Sequence, residues 1–354
     1  MNYFEYAGHL HVHSSYSDGN MGIEEIARAA RDAGLCFIGV TDHNTLKGLK
    51  DGMEGWYGSV LVLIGTEINQ KKNHYIAFGP QGEVPQDEDN PQTVIDAVNA
   101  QGGFGYLAHP VERGNPFFLD GRCYPWDKPE VTGHAGVEIW NFGSQWRMAY
   151  SNKLQAVFWR IADVYRAARH PDPRGVELWD QMLKKQQVNC FGGSDAHLIS
   201  ANWGKLKLTF FPYSLLFRTI NTHVLLNEEL SGEVAAARGQ IYSALRQGRF
   251  FIGSDYLAPT EGFRFSAFNT EDTENEVPMG GQVDHSGTSA LRILSPSPRS
   301  LIRVIKNGKQ VYQSKEQVLV FKVLKPGTFR VEVYYTLRTG KAIPWIYSNP
   351  IYVK

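Results

Sequence analysis

Apolar runs of four to five residues alternate with amphipathic segments through the first part of the chain. The runs at residues 37–40, 60–64, 104–108 and 188–191 have the length and composition of buried strands. Strands that are apolar on both faces and alternate with helices are typical of a parallel sheet covered by helices. The pattern therefore predicts an α/β fold.

Several segments between these runs repeat apolar residues at helical spacing, which predicts one buried face on each helix. The segment 23–33 precedes Gly34, the segment 92–101 follows Pro91, and a longer helix is expected at 153–169. The predicted buried residues are Ile23, Ile26, Ala27 and Ala30 in the first helix, Val94, Ile95 and Val98 in the second, and Leu154, Val157, Phe158 and Ile161 in the third.

The pattern changes to short strands and turns after a linker at residues 259–262. Asn307-Gly308 is a two-residue hairpin signal within this region. Short alternating strands separated by turns indicate a β-sandwich. We therefore expect an α/β domain over residues 1–256 and a C-terminal all-β sandwich with an immunoglobulin-like fold over residues 257–354.

Nine residues that can bind metal ions stand at or near the ends of the apolar runs. A single histidine in such a place indicates a buried or capping residue more often than a ligand. The joint pattern indicates a metal centre, because ligands at the C-terminal ends of successive parallel strands converge on one rim of a barrel. The nine residues are His11, His13, Asp18, His43, Glu67, His74, His109, Asp195 and His197.

Imidazole nitrogen and carboxylate oxygen without thiolate suit zinc, manganese or iron, and the donor types alone do not choose among these metals. His11 and His13 are two residues apart, so they would lie on the same face of an extended strand. Nine donors exceed what one ion can use. The sequence therefore predicts two to three divalent metal ions.

The motifs that carry these residues resemble those of the PHP family of metal-dependent hydrolases, named for polymerase and histidinol phosphatase. The resemblance extends from residue 8 to about residue 200, and it departs from many relatives at His9, where they carry Asp. The segment 241–255 and the all-β tail are similar to the CehA/McbA branch, named for an aryl-carbamate hydrolase. The matching motifs are H-L-H-V-H-S-S-Y-S-D-G, V-T-D-H, G-T-E, the solitary His74, L-A-H-P and G-G-S-D-A-H.

The resemblance implies a distorted (β/α)7 barrel with a three-ion site in which Glu67 is the bridging ligand. A hydroxide between two ions would be the nucleophile, because metal ions lower the pKa of water from about 15.7 toward 7. Asp195 would be both a ligand and a proton acceptor or donor, so the predicted catalytic residues are Asp195 and Glu67. The implied ligand sets are His11, His13, Glu67 and Asp195; Glu67, His74 and His109; and Asp18, His43 and His197.

An aromatic-rich insert at about residues 112–187 would build the substrate pocket, because loops at the ligand rim of a barrel usually do so. Arg113 is the predicted contact for phosphate oxygens, although it could equally be a surface partner of Glu112. The other predicted substrate contacts are Tyr16, Trp140 and Asn141. Asp42 is a candidate partner for His43 or a turn cap.

The charge balance narrows the choice of partners. Lysine plus arginine and aspartate plus glutamate each total 36, which gives no support for an extended nucleic acid or a membrane as the main partner. The cysteines, Cys36, Cys123 and Cys190, suggest reduced thiols. The N-terminus resembles no signal peptide, so we expect a soluble, cytoplasmic protein, with an oligomer left open.

The predicted function is hydrolysis of a small phosphate mono- or diester by a metal-dependent enzyme. One alternative keeps the site but cleaves a carboxylic or carbamic ester, and another is a non-catalytic, metal-braced binding module. The string G-F-G-Y-L-A at residues 103–108 formally matches a dinucleotide fingerprint, but it leads into a strand and not a helix. No P-loop or serine-hydrolase elbow occurs in the sequence.

Overall fold

The computed structural model describes residues 3–117, 121–197, 199–203, 206–286 and 289–354. The chain divides into two compact units, which we call the barrel unit and the β-rich unit. The barrel unit comprises Ala7–Val176 and Phe191–Asn221, and the β-rich unit comprises Met1–Tyr6, Glu177–Cys190 and Thr222–Lys354. The domain boundary after residue 256 stays a prediction.

Seven strands form a closed barrel in the barrel unit, because each pairs with the next and the last pairs with the first. They include all four apolar runs that the sequence pattern predicts to be strands. A further strand, β3, pairs with β4 from outside the barrel. The bounds are β1 Phe4–Val12, β2 Phe37–Val40, β3 Gly55–Tyr57, β4 Val60–Ile68, β5 Tyr75–Phe78, β6 Phe104–Leu107, β7 Gly136–Asn141 and β8 Asn189–Ala196.

One barrel strand breaks the parallel arrangement that the sequence pattern predicts. β5 is antiparallel to both β4 and β6, whereas β1, β2 and β4 run parallel to one another. The connection between Ile68 and Tyr75 is too short for a parallel crossover, which needs a dozen or more residues. The start of β5 therefore lies at the same rim as the ends of β4 and β6.

The helices agree with the predicted faces on α1 and α3. Ile23, Ile26, Ala27 and Ala30 are buried on α1, as are Val94, Ile95 and Val98 on α3. No helix among the described residues is long and apolar enough to cross a membrane. The bounds are α1 Ile23–Asp32, α2 Lys47–Lys50, α3 Pro91–Ala100, α4 Phe142–Ala149, α5 Lys153–Ala162, a 3-10 turn Arg166–Ala168, α6 Pro173–Met182, α7 Tyr213–Leu216 and α8 Val234–Gln247.

The predicted buried face of α5 is wrong. Leu154 and Ile161 are 84% and 81% exposed, and Val157 and Phe158 are also exposed. The helix ends at Ala162, earlier than predicted. Apolar spacing indicates that a helix has an apolar face, but it does not indicate that another element covers this face.

Two sheets share one hydrophobic core in the β-rich unit, as expected for a sandwich. One sheet has the order β15-β22-β20-β21-β12, with β17 paired to β20 and β18 to β17, and the other has the order β14-β13-β16-β19. The immunoglobulin-like connectivity stays a prediction. The bounds are β12 Phe250–Ser254, β13 Arg264–Asn269, β14 Asp272–Pro278, β15 Gln282–Val283, β16 Ser289–Leu294, β17 Ser300–Lys306, β18 Lys309–Ser314, β19 Val318–Lys322, β20 Gly327–Thr336, β21 Ala342–Ser348 and β22 Ile351–Val353.

Three further strands complete the described structure: β9 Ile199–Trp203, β10 Leu206–Phe211 and β11 Ile220–Leu226. β9 and β10 form an antiparallel pair in the barrel unit.

The predicted hairpin at Asn307-Gly308 is confirmed, because it joins the antiparallel strands β17 and β18. Both turn residues have positive φ, 50° and 78°, as a type I′ turn requires.

A buried histidine lies between two carboxylates in the β-rich unit. His223 Nδ1 is 2.9 Å from Glu5 Oε1, and its Nε2 is 3.0 Å from Asp255 Oδ2. Burial would lower the pKa of His223, but Asp255 and Glu5 outweigh it and raise the pKa to about 9. Arg264 also pairs with Glu5. The protonated imidazole therefore stabilises the folded unit.

We expect His223→Gln to remove a pH-dependent part of the stability. A histidine whose folded pKa is raised stabilises the fold fully below its unfolded pKa, near 6.5, and loses this contribution as the pH rises through about 9. The shift corresponds to roughly 3 kcal/mol. Urea unfolding at pH 6 and pH 9.5 should show a larger loss with pH for the wild type than for the variant. His285→Gln is the control, because the His285 ring contacts the carbonyl of Val323 and, among the residues that the structure describes, pairs with no carboxylate. Equal pH dependence in all three proteins would contradict the prediction.

Candidate metal centre

All nine predicted metal ligands come together in one cluster, with the buried carboxylate of Glu67 at its centre. Glu67 Oε2 lies 3.2 Å from Nε2 of both His11 and His13, and 3.4 Å from His43 Nδ1. Its other oxygen, Oε1, lies 2.8 Å from His74 Nδ1 and 3.1 Å from His109 Nε2. One carboxylate therefore joins five imidazoles.

The other two carboxylates, those of Asp195 and Asp18, both lie next to His197. Asp195 Oδ1 is 3.2 Å from His11 Nε2, 3.1 Å from His13 Nε2 and 3.3 Å from His197 Nδ1. Asp18 Oδ1 is 3.0 Å from His197 Nε2, and Asp18 Oδ2 is 3.8 Å from His43 Nε2. The Asp18 side chain is 56% exposed, so this side of the cluster is open to solvent.

Irregularities in two barrel strands aim the side chains of His11 and Asp195. Between Leu10 and Val12, β1 has one residue where β8 has two, and His11 and Asp195 have positive φ of 72° and 54°. Such bulges re-aim side chains near functional sites. Gly193 fits this close approach, because a Cβ there would lie 2.4 Å from the carbonyl oxygen of Leu10. β1 extends to Val12 with an irregularity at His11, and the imidazoles of both His11 and His13 reach Glu67.

The antiparallel β5 accounts for His74. This residue precedes β5, and the reversed strand places its N-terminal end at the rim where β4 and β6 end. His74 stands at the beginning of an apolar run and not at its C-terminal end, so the direction of β5 explains its position. His109 reaches the same carboxylate from the end of β6, with a positive φ of 28°.

Opposite charges stabilise one another inside the cluster. Burial alone would raise the pKa of Glu67 and of Asp195, but the surrounding imidazoles hold both pKa values well below the usual range. Burial would lower the pKa of His13, but its contacts with Asp195 and Glu67 raise the pKa to about 9. The pKa of His43 is lowered to about 4, mainly by burial. The carboxylates thus carry negative charge, which suits divalent cations.

The donor atoms fit metal ions, because several are buried without a hydrogen bond. Within the described residues this is true of both nitrogens of His13, Nδ1 of His43, Nε2 of His74 and Nδ1 of His109. Buried polar nitrogens normally find a partner. The donor atoms of each of three sets lie within 4.8 Å of one another: His11, His13, Glu67 and Asp195; His43, Glu67 and His74; and His13, Asp18, His43 and His197.

Two residues near the cluster have structural partners. Asp42 accepts hydrogen bonds from the backbone N–H and the hydroxyl of Ser14, at 2.8 and 2.6 Å, and from the hydroxyl of Ser17 at 2.5 Å. It therefore holds the turn that leads to Asp18. His9 contacts Asn221 Oδ1 and the Ser194 hydroxyl through its two nitrogens, so it belongs to the structural support of the site.

The four predicted substrate-contacting residues lie in different environments. Trp140 needs correction, because its indole is fully buried and donates to the carbonyl of Ala168, which makes it a core residue. Asn141 is buried, caps α4 and donates to Glu138, so it supports the site from within the protein. Tyr16 donates to Asp51, and Arg113 is exposed. Substrate contact by these last two stays a prediction.

Glu138, a buried carboxylate in the middle of β7, also belongs to the site and was not among the predicted residues. Glu138 Oε1 lies 3.2 Å from His11 Nδ1, and Oε2 accepts the backbone N–H of His109 at 2.9 Å and the Asn141 amide at 3.0 Å. The sequence contained one indication of this residue, because Glu138 is the single charged residue in the apolar string G-V-E-I-W. Glu138 contacts one donor ring and the backbone of another.

The structure also places Tyr124 and Arg147, which the sequence analysis did not select, beside the cluster. The Tyr124 ring centroid lies 4.9 Å from that of His74, and the Arg147 guanidinium lies over the Tyr124 ring at 5.4 Å. Arg147 pairs with the buried Glu112, which also accepts from Ser144. The only feature of the sequence that pointed to Tyr124 and Arg147 was their position in the aromatic-rich insert.

Backbone contacts fix the loop that carries Tyr124. The backbone N–H of Asn73 donates to the carbonyl of Pro125 at 2.9 Å, and the Trp126 indole donates to the carbonyl of His74 at 2.9 Å. Asn73 and Asp127 exchange two more hydrogen bonds. The insert therefore forms one wall of the site next to His74.

Comparison with known proteins gives a family and several relatives. An uncharacterized protein of Methanocaldococcus jannaschii is 30% identical over 114 residues, which cover 28% of this chain and 66% of that protein, just under two thirds of its length. A two-domain protein of Bacteroides vulgatus, described as containing a predicted PHP-like metal-dependent phosphoesterase, is 16% identical, with a TM-score of 0.45 over 98% of this chain and 95% of that one. A candidate metal-dependent phosphoesterase of Bifidobacterium adolescentis is 16% identical, with a TM-score of 0.37 over 54% of this chain and 87% of that one.

The family match covers most of the cluster. Residues 9–180 match the PHP domain, and seven of the nine clustered residues, from His11 to His109, lie within this range. Asp195 and His197 follow it and complete the cluster in three dimensions. Residues 9–180 of this chain therefore match the PHP domain family.

Proposed function

We propose that this protein is a metal-dependent hydrolase that cleaves a small phosphate mono- or diester. The observation that carries the proposal is the position of Glu67, whose two oxygens face different groups of histidines. A carboxylate in this position can bridge neighbouring cations. A purely structural site would be closed by its ligands, whereas this cluster has an open side at Asp18.

We propose that the nine clustered residues hold two to three divalent ions of zinc, manganese or iron. His11, His13 and Asp195 would share the first ion with Glu67, and His74 and His109 would share the second with the same carboxylate. Asp18, His43 and His197 would hold the third, with His13 close enough to join them. Such ions supply Lewis acidity and lower the pKa of water toward neutrality.

Asp195 has the position of a proton carrier. Its Oδ1 contacts three histidines, and its side chain is 21% exposed, on the same side of the cluster as Asp18. A carboxylate there can accept the proton of an attacking water and return it to the leaving group. Glu67 is 1% exposed and has the complementary role of holding the site together.

Arg147 is a better candidate than Arg113 for binding substrate oxygens. Arg113 is exposed, whereas the Arg147 side chain is 14% exposed and lies over Tyr124 next to His74. Its Nε is buried without a hydrogen bond among the described residues. A guanidinium N–H without a partner matches an oxygen of a phosphate ester.

The second candidate is hydrolysis of a carboxylic or carbamic ester, as the resemblance to the CehA/McbA branch implies. Tyr124 favours it, because an aromatic ring at 4.9 Å from His74 could stack on an aryl leaving group. Both candidates use the same cluster and differ only in the bond that is cleaved.

Removing a central donor should remove metal and activity together. We expect His11→Ala and Asp195→Asn to lower the bound metal, measured by elemental analysis, and to reduce ester hydrolysis at least 100-fold. His170→Ala is the control, because the His170 ring contacts the carbonyl of Pro171 through Nδ1 and is not one of the nine clustered residues. If both variants keep the metal content and rate of the wild type, the proposed site is wrong.

A panel of substrates should separate the two candidates. With manganese added, we expect turnover of p-nitrophenyl phosphate or bis-p-nitrophenyl phosphate and little turnover of 1-naphthyl acetate. Hydrolysis of the carboxylic ester alone would favour the second candidate. A metal-loaded protein that hydrolyses none of the three would contradict both for small esters.

Arginine variants test the proposed phosphate contact. We expect Arg147→Gln to raise KM for a phosphate ester by about 10-fold or more, because one charge-assisted pair contributes about 1.5–3 kcal/mol. Arg113→Gln is the matched control, since Arg113 is exposed. Melting temperatures should accompany the kinetics, because Arg147 also pairs with the buried Glu112. A larger effect at Arg113 would restore the original prediction.

A further inference from the structure

We propose that Glu138 is a positioning residue that fixes the ring orientation and the tautomer of His11 for metal binding. The inference rests on the proposed metal-dependent function and concerns a residue outside the nine clustered donors. Glu138 is buried, and its carboxylate lies on the far side of the His11 ring from Glu67 and Asp195.

The two nitrogens of His11 face different partners. Nδ1 lies 3.2 Å from Glu138 Oε1 and 3.3 Å from Glu138 Oε2, and Nε2 lies 3.2 Å from both Glu67 Oε2 and Asp195 Oδ1. A carboxylate can only accept, so Glu138 holds the proton on Nδ1. In the neutral ring this leaves the lone pair on Nε2, the nitrogen that faces the other donors of the cluster.

The second oxygen of Glu138 makes its orientation unambiguous. Oε2 accepts from the backbone N–H of His109 at 2.9 Å and from Asn141 Nδ2 at 3.0 Å. Asn141 is itself held, because its Oδ1 accepts the backbone N–H of Ser144 at the start of α4. Glu138 therefore links the bulge at His11 to the strained backbone of His109, and both residues have positive φ.

The substitution Glu138→Gln tests whether Glu138 sets the tautomer of His11. The backbone N–H of His109 and the Asn141 amide donate to the Oε2 position, so the amide oxygen occupies it, and the amide NH2 takes the Oε1 position, which is the nearer of the two to His11 Nδ1, at 3.2 Å against 3.3 Å. An NH2 group donates, so this nearer contact is satisfied only when His11 Nδ1 accepts and the proton moves to Nε2. A protonated Nε2 cannot bind metal. The variant keeps the shape of the side chain but selects the wrong tautomer.

The experiment measures zinc and manganese affinity by chelator competition in the full-length chain. We expect Glu138→Gln to weaken metal binding 10- to 100-fold, the usual effect of removing a carboxylate behind a histidine ligand. Glu54→Gln is the matched control, because Glu54 accepts the backbone N–H of Ile64 in the same unit and is not one of the nine clustered residues. Its affinity should equal that of the wild type.

A second variant covers the case in which Glu138→Gln fails to fold. Asn141→Asp keeps an oxygen to cap α4, but it replaces the donor that faces Glu138 Oε2 with an acceptor. It should also weaken metal binding. In folded Glu138→Gln, ¹⁵N–¹H correlation spectra should show the His11 proton on Nε2, a change that a merely structural role would not produce.

The outcomes separate this inference from the proposed function. Wild-type affinity in a folded Glu138→Gln, or in Asn141→Asp if the first variant is unfolded, overturns the role of Glu138 even when stability falls. A wild-type chain that binds metal but hydrolyses no ester overturns the hydrolase, while weaker binding in the variants still supports the role of Glu138. A wild type without metal affinity overturns both.

Discussion

The contact between one buried carboxylate, Glu67, and five imidazoles is the constraint on which the barrel unit depends. A buried charge is costly unless it is paired, so every strand end that contributes a donor must meet at this point. The bulges at His11 and Asp195 and the reversal of β5 all serve this requirement. The positive φ angles of His11, His109 and Asp195 therefore occur at residues that contribute donors to the cluster.

The support around this cluster is polar and specific. Asp42 holds the turn that leads to Asp18, Glu138 holds the His11 ring and the His109 backbone, and Trp126 holds the carbonyl of His74. Each contact fixes a donor from behind, so the donor atoms keep their positions relative to Glu67. A site of this kind can keep an open side at Asp18 without losing its geometry.

The aromatic-rich insert has two physical roles. Its loop at Tyr124 and Trp126 is tied to the barrel by hydrogen bonds and forms a wall next to His74. The helix α5 in the same insert instead exposes its apolar face. Composition alone could not separate these roles, because both segments contain the same residue types and differ only in what packs against them.

The sequence by itself determined the metal-binding donors and most of the strands, because these depend on residue type and on periodicity along the chain. It also predicted the turn at Asn307-Gly308, where local backbone preference decides the structure. No local strand signal marks β14, which is polar, or β21, which contains Pro344. Only the tertiary structure decided the direction of β5, the burial of Trp140 and the positions of Glu138 and Arg147. These depend on contacts between residues far apart in the chain, and no local pattern encodes such contacts.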